Sequence, residues 1–248
     1  WSEGEHTSYY DVDWLRHNCY TLKSKKKYNS PYFLWDHSIE SKFDDIQIEY
    51  EEIINGDEGI KKWLEQLHYK GISIVKNAPT EKESGFDVIA KISHHRETFF
   101  KTPFEVIDIP NPNNSAYTAA ALRNHLDLPY YEIAPGYQFL HCLINNATGG
   151  ESVAVDGFKV ASYMKEKYRE YFETLLETPV KFVNKDYTSN AIRVMHKPLF
   201  SLDHNNDFND IRFSVAYMGV MDCDPDQMDK FYEAYRKLIA LLHDPMFE

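Results

Sequence analysis

The residues with the clearest capacity for chemistry are a histidine and an aspartate two positions apart, His125 and Asp127. On a β-strand, side chains two residues apart point to the same face, so an imidazole and a carboxylate would project together. They make up two thirds of the 2-His-1-carboxylate triad that holds non-haem Fe(II) and leaves open positions on the metal. A triplet of this kind also occurs by chance as an ordinary surface or core-edge pair. The surrounding sequence therefore decides how it is interpreted.

The composition of the whole chain bounds the class of protein. With 248 residues, of which 43% are hydrophobic, the chain can bury one large β-rich domain or two smaller ones. No apolar run approaches the length that crosses a membrane, so we expect no membrane partner. The net charge of -12 argues against nucleic acid as a partner and is compatible with a small cationic substrate. The three scattered cysteines favour a reducing compartment over a disulfide framework.

Helical and strand-like patterns alternate along the chain, and short strands become frequent in its second half. Helical patterns cover residues 10–19, 57–69, 81–99, 158–177 and 226–243, with Asp11 as the first N-cap and Gly71 ending the second helix. Strand patterns cover residues 72–76, 104–109, 138–144, 151–155, 180–186, 192–196 and 211–218. Short strands separated by Pro, Gly and Asn turns predict a β-sandwich or barrel core with flanking helices.

Several short motifs surround the histidine and aspartate in a fixed order. They are Asn113-Asn-Ser-Ala-Tyr117, His125-Leu-Asp127, Pro135-Gly-Tyr-Gln-Phe-Leu-His-Cys142, Gly149-Gly-Glu-Ser152 and Val155-Asp-Gly-Phe158. In this order and spacing, the chain resembles the γ-butyrobetaine and trimethyllysine dioxygenases, which are Fe(II)- and 2-oxoglutarate-dependent hydroxylases of carnitine synthesis. The resemblance runs through most of the chain and is densest over residues 96–158.

The resemblance implies an α+β fold that is mainly β, with a double-stranded β-helix (jelly-roll) core and flanking helices. Residues 1–45 would be the remnant of a small N-terminal domain and its connection. Residues 46–248 would be a jelly-roll oxygenase domain that lacks its last strands. The chain is therefore expected to be truncated at both ends. The family also suggests a homodimer, and a cytoplasmic location with a mitochondrial one as the alternative.

The resemblance also assigns cofactor-binding residues. His125 and Asp127 would bind Fe(II), which accepts mixed nitrogen and oxygen ligands. Ser152 stands where related oxygenases place a hydroxyl on the distal carboxylate of 2-oxoglutarate, although a serine there also closes a turn on its own backbone. Asn114 matches an asparagine that lines the co-substrate site, and a simple turn residue is the alternative. Fe(II) and 2-oxoglutarate are the expected cofactors, with ascorbate as an accessory.

Aromatic faces hold quaternary ammonium groups through cation–π attraction. The resemblance assigns this role to Phe100, Phe104 and Tyr117, while the helical spacing of the two phenylalanines is equally typical of core packing. The butyrobetaine enzymes carry Tyr and Trp in place of these two phenylalanines, and a tyrosine in place of Leu128. Where the family carries two consecutive asparagines, this chain has Ser214 and Val215. These departures leave the exact substrate open.

Two metal sites are incomplete within the chain. The family's distal iron-binding histidine, and the arginine that pairs with 2-oxoglutarate, are expected beyond Glu248. His141, on a predicted strand, is interpreted as structural. His6 matches a histidine that binds structural zinc with N-terminal cysteines, which are expected before Trp1. An exposed terminal histidine is the alternative for His6.

The sequence therefore predicts an enzyme, a 2-oxoglutarate-dependent dioxygenase that hydroxylates an aliphatic C–H bond of a small trimethylammonium compound. γ-Butyrobetaine is the first candidate substrate, and trimethyllysine or a different small molecule is the second. A catalytically inactive family member that serves as a binding or assembly subunit is the alternative from another class. A hydrolase or lyase is not supported, because the sequence shows no nucleophile–base constellation.

Overall fold

The structure is a computed structural model that describes residues 4, 6–21, 32–100, 104–110, 112, 115–187 and 190–248. Its α-helices are α1 (Val12–His17), α2 (Tyr50–Asn55), α3 (Asp57–Lys70), α4 (Ser84–Ala90), α5 (Gly157–Lys167), α6 (Arg169–Glu177) and α7 (Pro225–Leu242). Its strands are β1 (Gln47–Glu49), β2 (Ile74–Lys76), β3 (Val180–Asp186), β4 (Ala191–Lys197), β5 (Phe200–Leu202) and β6 (Phe208–Ile211). Helices of the 3-10 type cover His37–Ile46, Ser115–Tyr117 and Val215–Tyr217. Among the described residues, no helix is sufficiently long and apolar to span a bilayer.

Local signals explain where several helices begin and end. Asp11 accepts hydrogen bonds from two backbone N–H groups at the start of α1, and Asp224 accepts one at the start of α7. Gly71 ends α3 in the left-handed conformation, with φ 71°, which glycine adopts without strain. The first, second and last of the predicted helices are thereby confirmed, with small shifts in their boundaries.

A smaller core lies among β1, α2, α3 and β2. The two strands run parallel, and the helices form the crossover between them. Ile53 and Trp63 are buried between these elements. A Cβ atom on Gly59 would lie 1.8 Å from the carbonyl oxygen of Glu52, so only glycine permits this approach of α3 to α2.

A larger core lies among α5, α6, α7, β3 and β5. Its fully buried side chains include Val160, Met164, Leu175, Phe182, Phe231 and Leu238. β3 and β4 form an antiparallel pair beside it, and β5 pairs with β6. Leu128 and Tyr130, which follow His125 and Asp127 in the chain, also belong to this core. The candidate site is therefore anchored to the larger core.

Hydrogen bonds tie the segment of residues 32–46 to the larger core. Asp156 caps α5 with one carboxylate oxygen, and its other oxygen accepts from the backbone N–H of Trp35 at 2.9 Å. The N–H of His37 donates to the carbonyl oxygen of Met246 at 3.2 Å. The predicted domain division between residues 45 and 46 stays a prediction.

Two predicted helices are wrong in extent. The helix predicted over residues 81–99 is only Ser84–Ala90, because residues 91–97 are exposed and offer no face for a core to bury. The helix predicted over residues 158–177 is divided into α5 and α6 at Tyr168, whose φ of −137° is not helical. In the first case, tertiary burial rather than local propensity sets the length of the helix.

The strand predictions are confirmed for β2, β3 and β4 and are wrong elsewhere. Residues 104–109, 138–144 and 151–155 belong to no strand, and the pattern over residues 211–218 gives way after β6 to a 3-10 turn. A strand needs a neighbour to complete its hydrogen-bond ladder, and in the described structure no strand pairs with residues 104–109, 138–144 or 151–155.

The described residues therefore form a mixed helix and strand structure rather than a mainly β one. Their strands form three separate two-stranded sheets, and more of these residues lie in helices than in strands. The physical reason is the missing ladder partners, since alternation of side chains does not by itself make a sheet. The double-stranded β-helix stays a prediction for this chain.

Candidate active site

His125 and Asp127 lie side by side on a loop and not on a β-strand. The Nε2 atom of His125 is 3.5 Å from Oδ1 of Asp127, and the two side chains are 37% and 42% exposed. The course of the loop, rather than strand alternation, brings them together. A nitrogen and an oxygen donor thus stand at one accessible place, and this donor set is one that Fe(II) accepts.

Hydrogen bonds behind the two side chains determine which of their atoms are free. Nδ1 of His125 is 2.7 Å from the carbonyl oxygen of Arg123, and because a carbonyl only accepts, Nδ1 carries the proton. In the neutral imidazole Nε2 then keeps its lone pair. Oδ2 of Asp127 accepts from Nε2 of Gln138 at 2.6 Å. Metal-binding histidines and carboxylates are usually held by such partners, so the pair fits two of the three triad positions.

The neighbouring carboxylate also changes the protonation of the histidine. The contact with Asp127 raises the pKa of His125, the backbone carbonyl of Arg123 adds to the rise, and partial burial opposes it. Metal ions bind the neutral imidazole, so a raised pKa strengthens the competition of the proton with a metal for this side chain.

The residues after Asp127 turn into the larger core. Leu128 has a left-handed backbone, with φ 54°, and its side chain is buried. Leucine rarely adopts this conformation, so the surroundings must hold it there. The N–H of Tyr131 donates to the carbonyl oxygen of Leu128 at 3.0 Å and closes the turn. Leu128 therefore serves packing, with its side chain in the larger core.

The three predicted substrate-binding aromatics contact one another. The ring centroids of Phe100 and Phe104 are 5.0 Å apart, and those of Phe104 and Tyr117 are 5.2 Å apart. The ring centroid of Phe99 lies 4.1 Å from that of Phe100, in a tilted arrangement, and 6.3 Å from that of Tyr130. We call these five side chains the aromatic row. Four of them are half-buried, and only Tyr130 is fully buried, so the row lies at the margin of the core.

The aromatic row ends close to Asp127. Tyr217 packs edge-on against Tyr130, with ring centroids 4.8 Å apart. Burial raises the pKa of the Tyr217 hydroxyl, and the negative charge of Asp127 adds to the rise. Tyr130 lies three residues after Asp127 in the chain, so the row reaches the loop that carries the two ionisable side chains.

Two arginines already use aromatic faces of this region. The Cζ atom of Arg193 is 3.9 Å from the centroid of Phe99, and that of Arg96 is 5.2 Å from the centroid of Tyr131. Together with Tyr130 they line an open cleft of about 410 Å³. These contacts show that the rings here accept cationic groups.

The structure does not bring Ser152 or His6, the remaining predicted residues that it describes, together with the pair. Ser152 is exposed on an irregular segment, and no hydrogen bond of the described chain joins it to His125 or Asp127. Asn114 lies outside the described residues. His6 is exposed and shares a hydrogen bond of 3.0 Å with the hydroxyl of Ser8. Over the described ranges, no three His, Cys, Asp or Glu side chains are grouped to hold a metal.

Sequence reasoning missed four residues that support the site. Gln138 and Tyr130 lie inside or beside the motifs that carry the family resemblance, and that position was the only signal for them. Tyr217 and Arg193 belong to distant elements and carry no local signal. Only tertiary packing brings them to the aromatic row.

The site combines a histidine and a carboxylate, each fixed by a hydrogen bond on the side away from the other, with a row of aromatic faces. This combination is typical of a non-haem metal site next to a pocket for a cationic ligand. Comparison with known proteins agrees with this class. The chain belongs to the taurine catabolism dioxygenase TauD, TfdA family, whose model matches residues 36–248. The resemblance to dioxygenases is therefore confirmed.

Individual relatives within this class are moderately similar. The chain is 32% identical over 250 residues to the gamma-butyrobetaine dioxygenase of Pseudomonas sp. (strain AK-1), covering 100% of this chain and 63% of that protein. It is 29% identical over 249 residues to the mitochondrial trimethyllysine dioxygenase of Homo sapiens, covering 99% and 59%. It is 28% identical over 247 residues to the gamma-butyrobetaine dioxygenase of Homo sapiens, covering 96% and 62%. The chain spans about three fifths of the length of these relatives.

Proposed function

We propose that the protein is an Fe(II)- and 2-oxoglutarate-dependent dioxygenase that hydroxylates an aliphatic C–H bond of a small trimethylammonium compound. One observation carries this proposal above all: Nε2 of His125 and Oδ1 of Asp127 lie 3.5 Å apart, and each side chain is held from behind. Membership of the family supports the reaction class. The names of the relatives support the substrate class.

In this proposal, His125 and Asp127 hold the iron through Nε2 and Oδ1. When bound, iron and 2-oxoglutarate supply the oxidising chemistry with O2. The chain's own contribution is to orient the two ligands. The carbonyl of Arg123 keeps the proton of the neutral imidazole on Nδ1, and Gln138 restrains the rotation of the Asp127 carboxylate.

The aromatic row supports a cationic substrate. A trimethylammonium group has no N–H to donate, so aromatic faces bind it better than hydrogen-bond acceptors do. Phe100, Phe104 and Tyr117 offer half-buried rings spaced by 5.0 and 5.2 Å. γ-Butyrobetaine is the first candidate, since the relative at 32% identity is named for it. Trimethyllysine is the second, since the human relative named for it is 29% identical.

Further assignments extend the proposal on the strength of the family resemblance. We assign contacts with 2-oxoglutarate to Ser152 and Asn114, and a zinc-binding role to His6. A homodimer and a cytoplasmic location complete this set. Light scattering measures the oligomeric state, and substitution of Ser152 by alanine followed by measurement of the KM for 2-oxoglutarate tests the first of these roles.

Succinate release tests the proposed reaction. The protein is incubated with Fe(II), 2-oxoglutarate and O2, and with either γ-butyrobetaine or trimethyllysine. We expect succinate and a hydroxylated product in equal amounts with γ-butyrobetaine, complete loss in Asp127→Ala, and unchanged turnover in Asp222→Ala, which alters an exposed aspartate elsewhere. If only trimethyllysine gives a hydroxylated product, trimethyllysine rather than γ-butyrobetaine is the substrate. No succinate with either compound would contradict the proposed function and favour a binding or assembly subunit.

A further inference from the structure

Arg212 is the most completely bonded charged side chain near the site. It is only 4% exposed. Its two terminal nitrogens donate to the carbonyl oxygens of Pro129 at 3.0 Å, Glu132 at 2.7 Å and Tyr131. Its Nε atom donates to Oδ2 of Asp210 at 2.9 Å, which neutralises the buried charge. One side chain thus holds three carbonyls of the loop that follows Asp127.

The next residue in the chain holds the same loop on the other side of Asp127. The N–H of Leu126, which lies between the two proposed iron ligands, donates to the carbonyl oxygen of Phe213 at 2.7 Å. The N–H of Arg212 itself donates to the carbonyl oxygen of Leu199, the buried residue just before β5, at 2.9 Å. Residues 212 and 213 therefore fasten the loop before and after Asp127 to the larger core.

The loop needs such a restraint because its backbone is not in a relaxed conformation. Leu128 has a φ of 54°, which a leucine keeps only when its surroundings impose it. The carbonyls that Arg212 binds begin one residue later. Loss of these hydrogen bonds would allow Leu128 to return to an ordinary conformation, and Asp127, joined to it by a peptide bond, would turn away from His125.

Only arginine has the donors for this arrangement. Its planar guanidinium offers five N–H groups in a fixed fork, whereas the three donors of lysine radiate from a single nitrogen. A lysine in this place reaches at most some of the carbonyls and leaves others buried without a partner.

We propose that Arg212 is a positioning residue for the iron-binding pair, acting through the backbone of residues 126–132. It touches neither His125 nor Asp127, and its effect passes through the loop. The inference rests on the proposed function for the role of the pair, while the restraint of the loop can be measured without any metal.

The test compares Arg212→Met with Gln66→Met as a matched control. Gln66 is also buried, at 6%, and donates to two backbone carbonyls, but in the smaller core. Two quantities are measured at a temperature where all variants are folded: the affinity for Mn(II) by calorimetry, and amide hydrogen exchange of residues 124–132 and 180–186. For Arg212→Met we expect Mn(II) affinity to fall about tenfold or more, and exchange of residues 124–132 alone to accelerate by a similar factor.

Gln66→Met is expected to lower thermal stability without either effect. Arg212→Lys should lie between the wild type and Arg212→Met. Unchanged exchange of residues 124–132 in Arg212→Met would overturn the inference, as would Mn(II) affinity equal to that of the wild type. If Arg212→Met does not fold, Asp210→Asn replaces it, since that change loosens one anchor of the guanidinium, and unchanged exchange there overturns the inference equally.

Failure of the proposed function gives a different result. If the wild-type protein binds no Mn(II) and forms no succinate, the proposed iron site is contradicted. Faster exchange of residues 124–132 in Arg212→Met would still support the restraint of the loop by Arg212 in that case.

Discussion

Gln138 and Asp127 share a hydrogen bond of 2.6 Å that links an exposed amide to a proposed iron ligand. In Gln138→Leu, Oδ2 of Asp127 loses this partner and the carboxylate rotates more freely. We expect the affinity for Mn(II) to fall about tenfold. The free energy of unfolding should change by less than about 0.5 kcal/mol, because the side chain is exposed. Calorimetry and urea denaturation measure the two effects.

Gln227→Leu is the control for this substitution, since Gln227 lies on α7. It should leave Mn(II) affinity unchanged. Equal affinities of wild type and Gln138→Leu would show that Asp127 needs no support from this amide.

Because Phe104 belongs to the aromatic row, substitutions of this residue should change the KM for a cationic substrate. Phe104→Leu keeps an apolar side chain but removes the π face, which is worth about 0.5–2 kcal/mol to a bound cation. The KM for γ-butyrobetaine should therefore rise about tenfold with kcat little changed, and Phe104→Trp should lower it. Initial rates measure both constants, with Phe43→Leu, an exposed phenylalanine outside the row, as control. An identical KM in the leucine and tryptophan variants would exclude Phe104 from substrate binding.

The sequence indicated the side chains of the proposed site better than the residues that hold them in place. His125 and Asp127 could be proposed from their types and spacing, and Phe100, Phe104 and Tyr117 from the family resemblance. Their supports could not, because a buried arginine or tyrosine from another element looks like any other core residue in sequence. The backbone of Leu128 was equally unpredictable, since nothing in its side chain favours a positive φ.

The start of α5 shows how an element is fixed in the fold. The carboxylate of Asp156 caps the helix and also accepts the N–H of Trp35. Asp156→Ala should lower the free energy of unfolding by about 2 kcal/mol, against about 1 kcal/mol for Asp224→Ala, which removes a cap without a second partner. Urea denaturation measures both, and equal losses would contradict a role for Asp156 in holding residues 32–46.

Asp36, beside the same helix, gives a pH dependence with a definite sign. Hydrogen bonds from Ser38, helped by the ammonium group of Lys159 at 3.2 Å, lower the pKa of Asp36 from 3.8 to about 2. Because the unfolded chain keeps the ordinary pKa, the ionised carboxylate stabilises the fold above pH 3.8, and this contribution is lost as the pH falls toward 2. Asp36→Asn should therefore have a lower free energy of unfolding than wild type at pH 7. The difference in free energy between the two proteins should become smaller as the pH falls below 3.8.

Urea denaturation of the two proteins at several pH values from neutral to acid measures this difference. If the difference in free energy of unfolding already decreases at a pH well above the ordinary pKa of aspartate, the effect belongs to another titratable group.

Elements with local signals could be predicted, and elements that depend on partners could not. α3 and α7 follow from their apolar periodicity and end signals, such as Gly71. The strands expected over residues 138–144 and 151–155 have the right pattern but no ladder partner in the described structure. Sheet formation depends on segments far away in sequence, which a pattern along one segment does not contain.

In the whole molecule, the segment after the site joins the two cores. The hydroxyl of Tyr137 donates to the carbonyl of Leu67 at 3.3 Å, and His141 bonds the carbonyl oxygen of Pro79 at 2.8 Å, in line with its predicted structural role. Leu128 and Tyr130 meanwhile belong to the larger core. The chain therefore runs from the larger core at Leu128 and Tyr130 to contacts beside the smaller core at Tyr137 and His141, an arrangement that no local pattern of the sequence indicates.

In the proposed site, His125 and Asp127 together bind a divalent metal. Calorimetric titration of Mn(II) into the wild-type protein, His125→Ala and Asp127→Ala measures this binding. We predict one bound Mn(II) per wild-type chain and a loss of affinity of about a hundredfold or more in each variant, since each removes a ligand. Binding of Mn(II) with the same affinity by all three proteins would contradict the claim.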